Sequence, residues 1–357
     1  MICALCPRDC HALRTETRGG GVCGMPSSAV VAKAMLHRWE EPCLTGTNGA
    51  GAVFFAGCSL GCVYCQNRAI SRPDALDVAG LRSDVQSRES VDITGLRPDT
   101  RSLETVDVEG LRPEGSSWES VDVAGLRPER RSRETVDIAG LRPKARSLET
   151  VDVAGLRGIF RDLVARGAAC LDLVTPTHFT PAVAAALRGV AWPVPVVWNS
   201  GGYEKADTLR ALDGLVQVYL PDLKYALPGP AEAYSGAPDY FHWAAPAIAE
   251  MFRQTGPYCM RDGRLSSGVL IRHMVIPGEL ENTRRVIDWV SRTFRPGDVL
   301  FSLLRQYTPQ PGATGNLSRR VTGGEYRAAV AYMRNCGITD GYTQDAASAV
   351  SDYTPDF

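Results

Sequence analysis

Six short apolar runs, separated by stretches with helical character, constrain the fold of this chain more than any other feature. Runs of this length bounded by polar and glycine residues are typical of buried strands, and their alternation with helices indicates an α/β fold with a parallel sheet. Six such strands fit a partial (β/α)6 barrel of the TIM type. The predicted strands are AGAVFFAG (50 to 57), CLDLVT (170 to 175), VPVVWN (194 to 199), LVQVYL (215 to 220), VLIRHMVI (269 to 276) and DVLFSLL (298 to 304). Because sites in such folds lie at the carboxyl ends of the strands, the residues after each run are the first candidates for function.

A tandem repeat interrupts this pattern after the first strand. The motif Asp-(Val/Ile)-x-Gly-Leu-Arg recurs six times at a strict 15-residue period, from Asp77 to Asp152. Prolines at Pro98, Pro113, Pro128 and Pro143 exclude one continuous helix through the repeats. Each unit offers few apolar side chains, which favours a disordered or loosely helical surface over an ordered stack or a partner-binding segment. We expect the repeats to carry no catalytic chemistry.

The repeats have the features of an insertion into the first helix of a compact domain. Removing residues 81 to 155 joins the two flanks into one amphipathic helix, in which Pro73 suits the first turn and Gly167 suits the end. The apolar positions of that helix are Leu156, Ile159, Phe160 and Leu163. The predicted division of the chain is a Cys-rich N-terminal extension (1 to 48), a barrel (49 to 80 and 156 to 340), the insertion (81 to 155) and a C-terminal tail (341 to 357).

Charge and composition limit the classes of partner and the compartment. With 39 basic and 40 acidic side chains the formal net charge is −1, so we expect neither a nucleic-acid nor a membrane partner. The chain does not open with a basic segment followed by an apolar run, and no stretch reaches about 18 apolar residues, which predicts a cytoplasmic protein. Eleven cysteines, clustered and odd in number, are in a reducing compartment more typical of metal sites than of disulfides.

The densest chemistry follows the first predicted strand, in the segment GCSLGCVYCQN. Cys58, Cys62 and Cys65 have C-x3-C-x2-C spacing, with which one short loop can present three thiolates to a single inorganic centre. A structural zinc ion or a closed cluster takes four protein ligands, whereas three leave one position free for a substrate or cofactor. Three buried free cysteines, or a zinc site completed by a remote ligand, are the alternatives.

A second set of cysteines lies at the N-terminus. Cys3, Cys6, Cys10 and Cys23 have C-x2-C-x3-C-x12-C spacing, which predicts a closed site for zinc or for a second iron–sulfur cluster. An auxiliary electron-relay role is one interpretation of such a cluster. Cys43 is a further candidate ligand without an identifiable partner. The isolated cysteines are expected to be ordinary thiols: Cys170, Cys259 and Cys336.

These motifs resemble those of a known superfamily. GCSLGCVYCQN, with its aromatic residue before the last cysteine, resembles the radical S-adenosylmethionine (SAM) signature, and LPDLKY (220 to 225) and IRHMVIPG (271 to 278) resemble the glycyl-radical-enzyme activases. A poorly characterised branch, described as pyruvate formate-lyase activating enzyme-like, is the most similar. The segments typical of that branch are WEEPC (39 to 43), VTPTHF (174 to 179), VWNSGGYE (197 to 204), RQYTP (305 to 309) and CALCPRDC. The resemblance covers nearly the whole chain apart from the repeats.

The resemblance implies the cofactors and the reaction. Cys58, Cys62 and Cys65 would hold a [4Fe-4S] cluster whose fourth iron binds SAM. One electron entering the sulfonium would break a C–S bond and give methionine and a 5′-deoxyadenosyl radical, so the barrel must hold the hydrogen donor close and exclude water. Flavodoxin or ferredoxin is the implied electron donor. Backbone groups around Tyr64, Cys65 and Gln66 would contact the adenine.

Other positions at strand ends are further candidates for contact with the cofactor. Asp222 and Lys224 match the activases' Asp-Leu-Lys and are candidates for cofactor contact, with a solvated ion pair as the alternative. Asn199, which follows the third strand, would face the ribose. Gln306 lies near the place of a histidine that the activases carry after the last strand. His273 and Arg272 are polar groups in an apolar run, so either satisfaction within the core or cofactor contact explains them.

The chain departs from the activases after the second strand. Their Gly-Gly-Glu, which helps to seat the SAM amino group, is replaced by Thr-Pro-Thr-His (175 to 178). Thr175, Thr177 or His178 would then supply hydroxyl, carbonyl or imidazole acceptors, although a lone histidine is equally explained as structural. The string ending at Glu204 follows the third strand and is not a substitute for the missing motif.

Three functions follow from the sequence. The first is an activase-like radical SAM enzyme, an oxidoreductase that modifies a protein partner by forming a glycyl radical. The second is a radical SAM enzyme that acts on a small molecule or another macromolecule, which the loss of Gly-Gly-Glu and the N-terminal cysteines favour. The third is a non-catalytic metal-binding or electron-carrier protein, in which SAM would not perturb the cluster.

Overall fold

A computed structural model describes residues 2–71, 77–78 and 147–345 of the chain. In chain order the strands are β1 Ala29–His37, β2 Ala50–Phe55, β3 Asp77–Val78, β4 Ser147–Leu148, β5 Thr150–Val151, β6 Leu171–Val174, β7 Val196–Ser200, β8 Val218–Pro221, β9 Cys259–Arg261, β10 Arg264–Met274, β11 Leu300–Leu304 and β12 Gly341–Thr343. The helices are α1 Pro42–Thr45, α2 Arg68–Ser71, α3 Val153–Ala165, α4 Thr180–Leu187, α5 Ala206–Arg210, α6 Pro228–Ser235, α7 Tyr240–Thr255, α8 Leu280–Thr293 and α9 Gly323–Asn335, with 3-10 turns at Thr177–Phe179 and Gly315–Ser318.

One large sheet organises the described part of the chain. Its strand order is β12-β11-β10-β8-β7-β6-β2-β1-β5, and β9 pairs with β10. All neighbours from β2 to β12 along this order are parallel, whereas β1 pairs antiparallel with both β2 and β5. β3 and β4 form a separate parallel pair. The predicted α/β class with a largely parallel sheet is therefore confirmed, and among the described strands the sheet is not closed into a barrel.

The six predicted strands coincide with β2, β6, β7, β8, β10 and β11, each displaced by a few residues at most from its expected start or end, apart from β10, which begins earlier. The sequence does not predict β1, which lies within the stretch expected to be a Cys-rich extension. Because β1 lies beyond the parallel strands, part of it remains half-exposed, and its burial follows neither a clean alternation nor a continuous apolar run. Part of the expected extension thus belongs to the main sheet.

Both faces of the parallel strands are buried, as expected when helices and a covering segment enclose a sheet. On one face Trp198 of β7 belongs to the main core together with Phe160 of α3. On the opposite face Leu270 of β10 packs with Leu44 of α1. The segment that joins β1 to β2 therefore covers this second face, and it carries Glu40 and Glu41 to the same side.

The last copy of the repeat motif caps the helix that follows it. The carboxylate of Asp152 accepts a hydrogen bond of 2.7 Å from the backbone N–H of Gly155, and α3 begins at Val153. Of the four apolar positions predicted for this helix, Leu156, Phe160 and Leu163 are fully buried and Ile159 is half-buried against the same core. The expected start at Pro73 lies outside the described residues.

Other expectations also fall beyond the described ranges. Residues 79 to 146, which include most of the predicted insertion (81 to 155), and residues 346 to 357 of the predicted tail (341 to 357) are not described. Residues 147 to 155, at the end of the insertion, form β4, β5 and the start of α3. No helix within the described ranges combines the length and the apolar character that crossing a membrane requires.

Candidate functional site

The loop after β2 carries the three cysteines of the C-x3-C-x2-C motif. Cys62 is buried, and Cys58 and Cys65 are half-buried. Burial, together with smaller effects of the neighbouring thiols of Cys62 and Cys65, raises the pKa of the Cys58 thiol to about 12. These mutual electrostatic effects indicate that the three thiols lie close together at the carboxyl end of β2.

Each of the three sulfurs has a hydrogen-bonding group beside it. The backbone N–H of Leu60 donates to Cys58 Sγ at 3.3 Å, and Ser235 Oγ donates to Cys62 Sγ at 3.0 Å. Cys65 Sγ lies 3.4 Å from the hydroxyl of Ser71. Such groups orient and tune metal-bound thiolates, so the donor chemistry of the loop fits an iron–sulfur cluster. As the side chains stand in residues 2–71 and 147–345, no three cysteine, histidine, aspartate or glutamate residues are arranged around one metal position.

A chain of hydroxyl groups leads from the motif's aromatic residue back to its central cysteine. Tyr64 is buried, its hydroxyl lies 2.6 Å from that of Tyr225, and Tyr225 lies 2.8 Å from Ser235 Oγ. Because Ser235 donates to Cys62, the simplest order of donors runs from Tyr64 through Tyr225 and Ser235 to the sulfur. The Tyr64 side chain therefore stabilises the loop, while its backbone and the half-buried Gln66 lie in the stretch expected to meet the adenine.

An ion pair lies next to the cysteine loop. Lys224 Nζ donates to Asp222 Oδ2 at 2.5 Å. Burial disfavours the charged form of Lys224, but Asp222 and Cys62 outweigh it, and the pKa of Lys224 rises. A β-carbon built on Gly201 would lie 3.1 Å from Leu60 Cδ1 and 3.7 Å from Lys224 Cε, so the lysine side chain runs close to the loop. The expected pair at this strand end is present, and both side chains are half-buried.

Arg272 joins the ends of three strands on the same face. Its guanidinium donates to Asp222 Oδ1 at 2.9 Å, to Asn199 Oδ1 at 2.7 Å and to Glu40 Oε1 at 3.0 Å. The parallel register sets Arg272 opposite Asp222 on one side and Ser302 on the other. Arg272 and Lys224 outweigh the effect of burial on Asp222 and lower the pKa of that carboxyl. This fork of hydrogen bonds holds the strand ends in a fixed arrangement.

Two further carboxyl groups, those of Asp172 and Glu41, lie near this arginine. Asn199 Nδ2 donates to Glu40 Oε2 at 3.2 Å and to Asp172 Oδ2 at 3.4 Å, and Ser302 Oγ donates to Glu41 Oε2 at 3.2 Å. Burial and the charge of Glu40 raise the pKa of Asp172 well above its usual range. Asp172 Oδ1 is buried and has no hydrogen-bond partner among the described residues. Carboxyl groups thus outnumber the cations on this face, which leaves acceptors available for a bound ligand.

The raised pKa of Glu41 predicts how the stability of the protein depends on pH. Burial raises it from 4.5 to about 7, opposed by Arg272. The folded state then binds more protons than the unfolded state between these values, so this group makes folding less favourable as pH rises and its full effect is reached above pH 7. Glu41→Gln should therefore stabilise the protein by up to about 3 kcal/mol at pH 8 and by little at pH 4. Urea unfolding at both pH values measures the effect.

Glu232→Gln is the matched control for this measurement, because Glu232 is exposed on α6. It should change stability by less than about 0.5 kcal/mol at either pH. A gain for Glu41→Gln that is equal at pH 4 and pH 8 would contradict the assignment of a proton to Glu41.

The residues that replace Gly-Gly-Glu have divergent environments. Thr175 directly follows β6 with a φ of +59°, a conformation that is costly for a β-branched residue. Its backbone N–H donates to the carbonyl of Asn199 at 2.8 Å, which ties two strand ends together. His178 Nε2 lies 2.7 Å from the carbonyl of Ala56, and burial lowers the pKa of this imidazole to about 3. A neutral His178 therefore supports the backbone just before the cysteine loop.

Glu204 joins the loops that follow β6 and β7. Its carboxylate accepts hydrogen bonds from Thr177 Oγ1 at 2.9 Å, Trp198 Nε1 at 2.9 Å and Ser200 Oγ at 2.5 Å. Burial raises the pKa of Glu204 despite these donors. Glu204 therefore holds the ends of β6 and β7 together.

Of the two remaining candidates, His273 faces away from the arginine. His273 Nδ1 lies 2.6 Å from the carbonyl of Leu223, and Nε2 lies 3.0 Å from Thr283 Oγ1 of α8. Burial lowers the pKa of His273 to about 4. Both ring nitrogens of His273 thus have hydrogen-bond partners within the core, which accounts for this polar residue in an apolar run. Gln306 follows β11, and its Oε1 accepts from Gln344 Nε2 at 3.1 Å.

Several residues of this face are not predicted as site residues from the sequence. Glu40 and Glu41 lie in the WEEPC segment, which carries a resemblance but no assigned role, and Asp172 lies inside an apolar run. Tyr240 joins two loops, since its hydroxyl donates to the carbonyls of Gly201 and Asp222 at 2.8 and 2.5 Å. The pattern that could have identified such residues is a charged residue inside an apolar run, as at Asp172.

The chain is similar to an uncharacterised protein of Methanocaldococcus jannaschii, with 28% identity over 132 residues, which cover 36% of this chain and 35% of that protein. The match thus spans well under two thirds of the relative's length. No family model matches the chain.

Proposed function

We propose that this chain is a radical SAM enzyme that cleaves SAM reductively at a [4Fe-4S] cluster bound by Cys58, Cys62 and Cys65. The observation that carries the proposal is the position of the three thiols. They lie in one loop directly after the first parallel strand, at the strand ends where Lys224, Asp222 and Arg272 converge. Three thiolates leave a fourth iron without a protein ligand, which is the position that a substrate takes in such sites.

The chemistry that such a cluster supplies when bound is one electron for the sulfonium, whose C–S bond then breaks to give methionine and a 5′-deoxyadenosyl radical. The chain's own residues would bind and orient SAM. Lys224 and Arg272 offer positive charge for a carboxylate, and Asp172 Oδ1 offers an acceptor for an ammonium or hydroxyl group. Asn199 is held between Glu40 and Arg272, which fixes its amide.

We also propose that the strands from β2 to β11 curve as a partial (β/α)6 barrel of the radical SAM kind. Support comes from their sequential parallel order and from the single face on which Asp172, Asn199, Asp222 and Arg272 meet. The motif resemblance supports an activase-like reaction, in which the radical removes a hydrogen atom from a glycine of a protein partner. A cytoplasmic location and an electron donor of the flavodoxin or ferredoxin type belong to the same proposal.

The test is anaerobic reconstitution of the full chain with iron and sulfide, followed by reduction and addition of SAM. We expect SAM to change the spectrum of the cluster, and 5′-deoxyadenosine and methionine to form in equal amounts. If a fully loaded cluster neither binds nor cleaves SAM, the proposal fails and a non-catalytic metal-binding function takes its place.

A further inference from the structure

The N-terminal segment before β1 has cysteines where a small domain normally has an apolar core. Cys3, Cys6 and Cys23 are 4%, 7% and 7% exposed, whereas Ile2 and Leu13 are 67% and 71% exposed. An isolated bridge between Ile2 and Leu13 is the only regular pairing in residues 2–28. Segments this short rarely hold a fixed structure by apolar burial alone and depend on disulfides or metals.

The backbone folds back on itself and brings the four N-terminal cysteines into one small region. The N–H of Cys3 donates to the carbonyl of Ala12 at 3.0 Å, which sets Cys3 beside the stretch that follows Cys10. All four are free thiols. Gly21 has a φ of +71°, and a β-carbon built there would lie 2.4 Å from Cys10 Sγ, so the backbone passes directly over this sulfur.

Hydrogen-bond donors also point at these sulfurs. The backbone N–H groups of Arg8 and Met25 donate to Cys6 and Cys23, each from two residues further along the chain. Arg14 donates to Cys3 Sγ at 3.4 Å. Donors of this kind stabilise thiolates that bind a metal, whereas they stabilise neutral, metal-free thiols only weakly.

We propose that Cys3, Cys6, Cys10 and Cys23 bind a thiophilic metal in a closed four-thiolate site, separate from the site at Cys58, Cys62 and Cys65. Four protein ligands leave no position for a substrate, so the site is structural. A single zinc ion and an iron–sulfur cluster use the same four ligands, and metal analysis distinguishes them. This inference does not depend on the proposed function.

The segment that carries the four N-terminal cysteines is attached to the loop that carries Cys58, Cys62 and Cys65. Arg8, between Cys6 and Cys10, donates to the carbonyl of Ser59 at 2.8 Å and to that of Ser235 at 3.0 Å. A β-carbon on Gly57, whose φ is +78°, would lie 2.4 Å from Met25 Cγ. Arg8 is therefore a positioning residue, and the metal site fixes the loop that carries Cys58 and Cys62 by fixing Arg8.

Metal analysis tests the site in a background that lacks the first one. In the full chain with Cys58, Cys62 and Cys65 replaced by alanine, we expect one zinc ion per chain, or iron with sulfide, after anaerobic purification. Adding Cys6→Ser and Cys23→Ser should remove this metal, whereas adding Cys336→Ser should leave it. Retention without the N-terminal cysteines, absence of metal in the folded background variant, or disulfides among the four thiols would overturn the inference.

Hydrogen exchange tests the link to the loop without measuring activity. Removal of the metal with a chelator should speed amide exchange in residues 57 to 65 at least about tenfold, because hydrogen bonds to the loop are lost. Arg8→Ala should do the same with the metal still bound, and Arg8→Lys should restore part of the protection. Exchange in α9 serves as the control. Unchanged exchange in the loop after loss of the metal would exclude the positioning role, whatever the outcome with SAM.

Discussion

Replacing Cys62 by alanine is expected to lower 5′-deoxyadenosine formation from SAM at least about 100-fold, because losing even a group that only hydrogen-bonds a metal ligand costs about 10- to 100-fold. Cys62 is buried, accepts a hydrogen bond from Ser235 at 3.0 Å and lies near Lys224. A site with three thiolates has no spare ligand. Iron bound per chain after reconstitution should fall together with product formation, and both are measured on the same sample.

Two other variants are compared with Cys62→Ala, one as a control and one as a milder change. Cys259→Ser should retain full activity, because Cys259 lies on β9, away from the loop and from the residues around Arg272. Ser235→Ala should retain iron and lose about tenfold, since it removes the donor to Cys62 but no ligand. Wild-type iron content and turnover in Cys62→Ala would refute the proposed cluster site.

The strands could be predicted from the sequence because each is an apolar run with a clear end. β7 and β11 are buried along their whole length, so their composition alone identifies them. β1 could not be predicted, because its half-exposed residues include Lys33 and its pairing with β2 is antiparallel. A strand near the edge of a sheet, such as β1, depends on tertiary contacts that the local sequence does not contain.

The residues of the candidate site were only partly predictable for a related reason. Arg272 and His273 are adjacent and equally polar, yet they lie on opposite faces of β10, one toward Asn199 and the other toward α8. Side chains alternate between faces, so the role of each depends on the register of the sheet. Glu40 reaches Arg272 across 232 positions of sequence, and no local pattern predicts such a contact.

The excess of carboxyl groups around Arg272 constrains what binds there. Asp222 is shared by Arg272 and Lys224, whereas burial raises the pKa of Glu41 to about 7 and that of Asp172 well above its usual range. An ammonium group bound beside these two carboxyl groups would favour their charged forms and lower both pKa values. The face is therefore suited to a ligand that has both a positive group and a carboxylate, such as an amino acid moiety.

Arg272→Met is expected to lower the free energy of unfolding by about 3–5 kcal/mol at pH 7.5, because it leaves buried carboxylates without their cation. Arg272 is 15% exposed and contacts Asp222, Glu40 and Asn199 at 2.7 to 3.0 Å. Without Arg272 the pKa of Asp222 in the folded state rises, and those of Asp172 and Glu41 rise further. The folded state then binds more protons than the unfolded state, so the loss should shrink as pH falls toward about 5.

Urea unfolding of matched variants measures this loss. Arg285→Met removes an arginine that pairs with Glu281 on the surface of α8 at 2.9 Å, and it should cost less than about 1 kcal/mol at either pH. Arg272→Lys keeps the charge but loses the fork of hydrogen bonds, so its cost should lie between the two and remains measurable if Arg272→Met does not fold. A loss for Arg272→Met no larger than that for Arg285→Met, or one that grows in acid, would mean that Arg272 does not hold these carboxyl groups together.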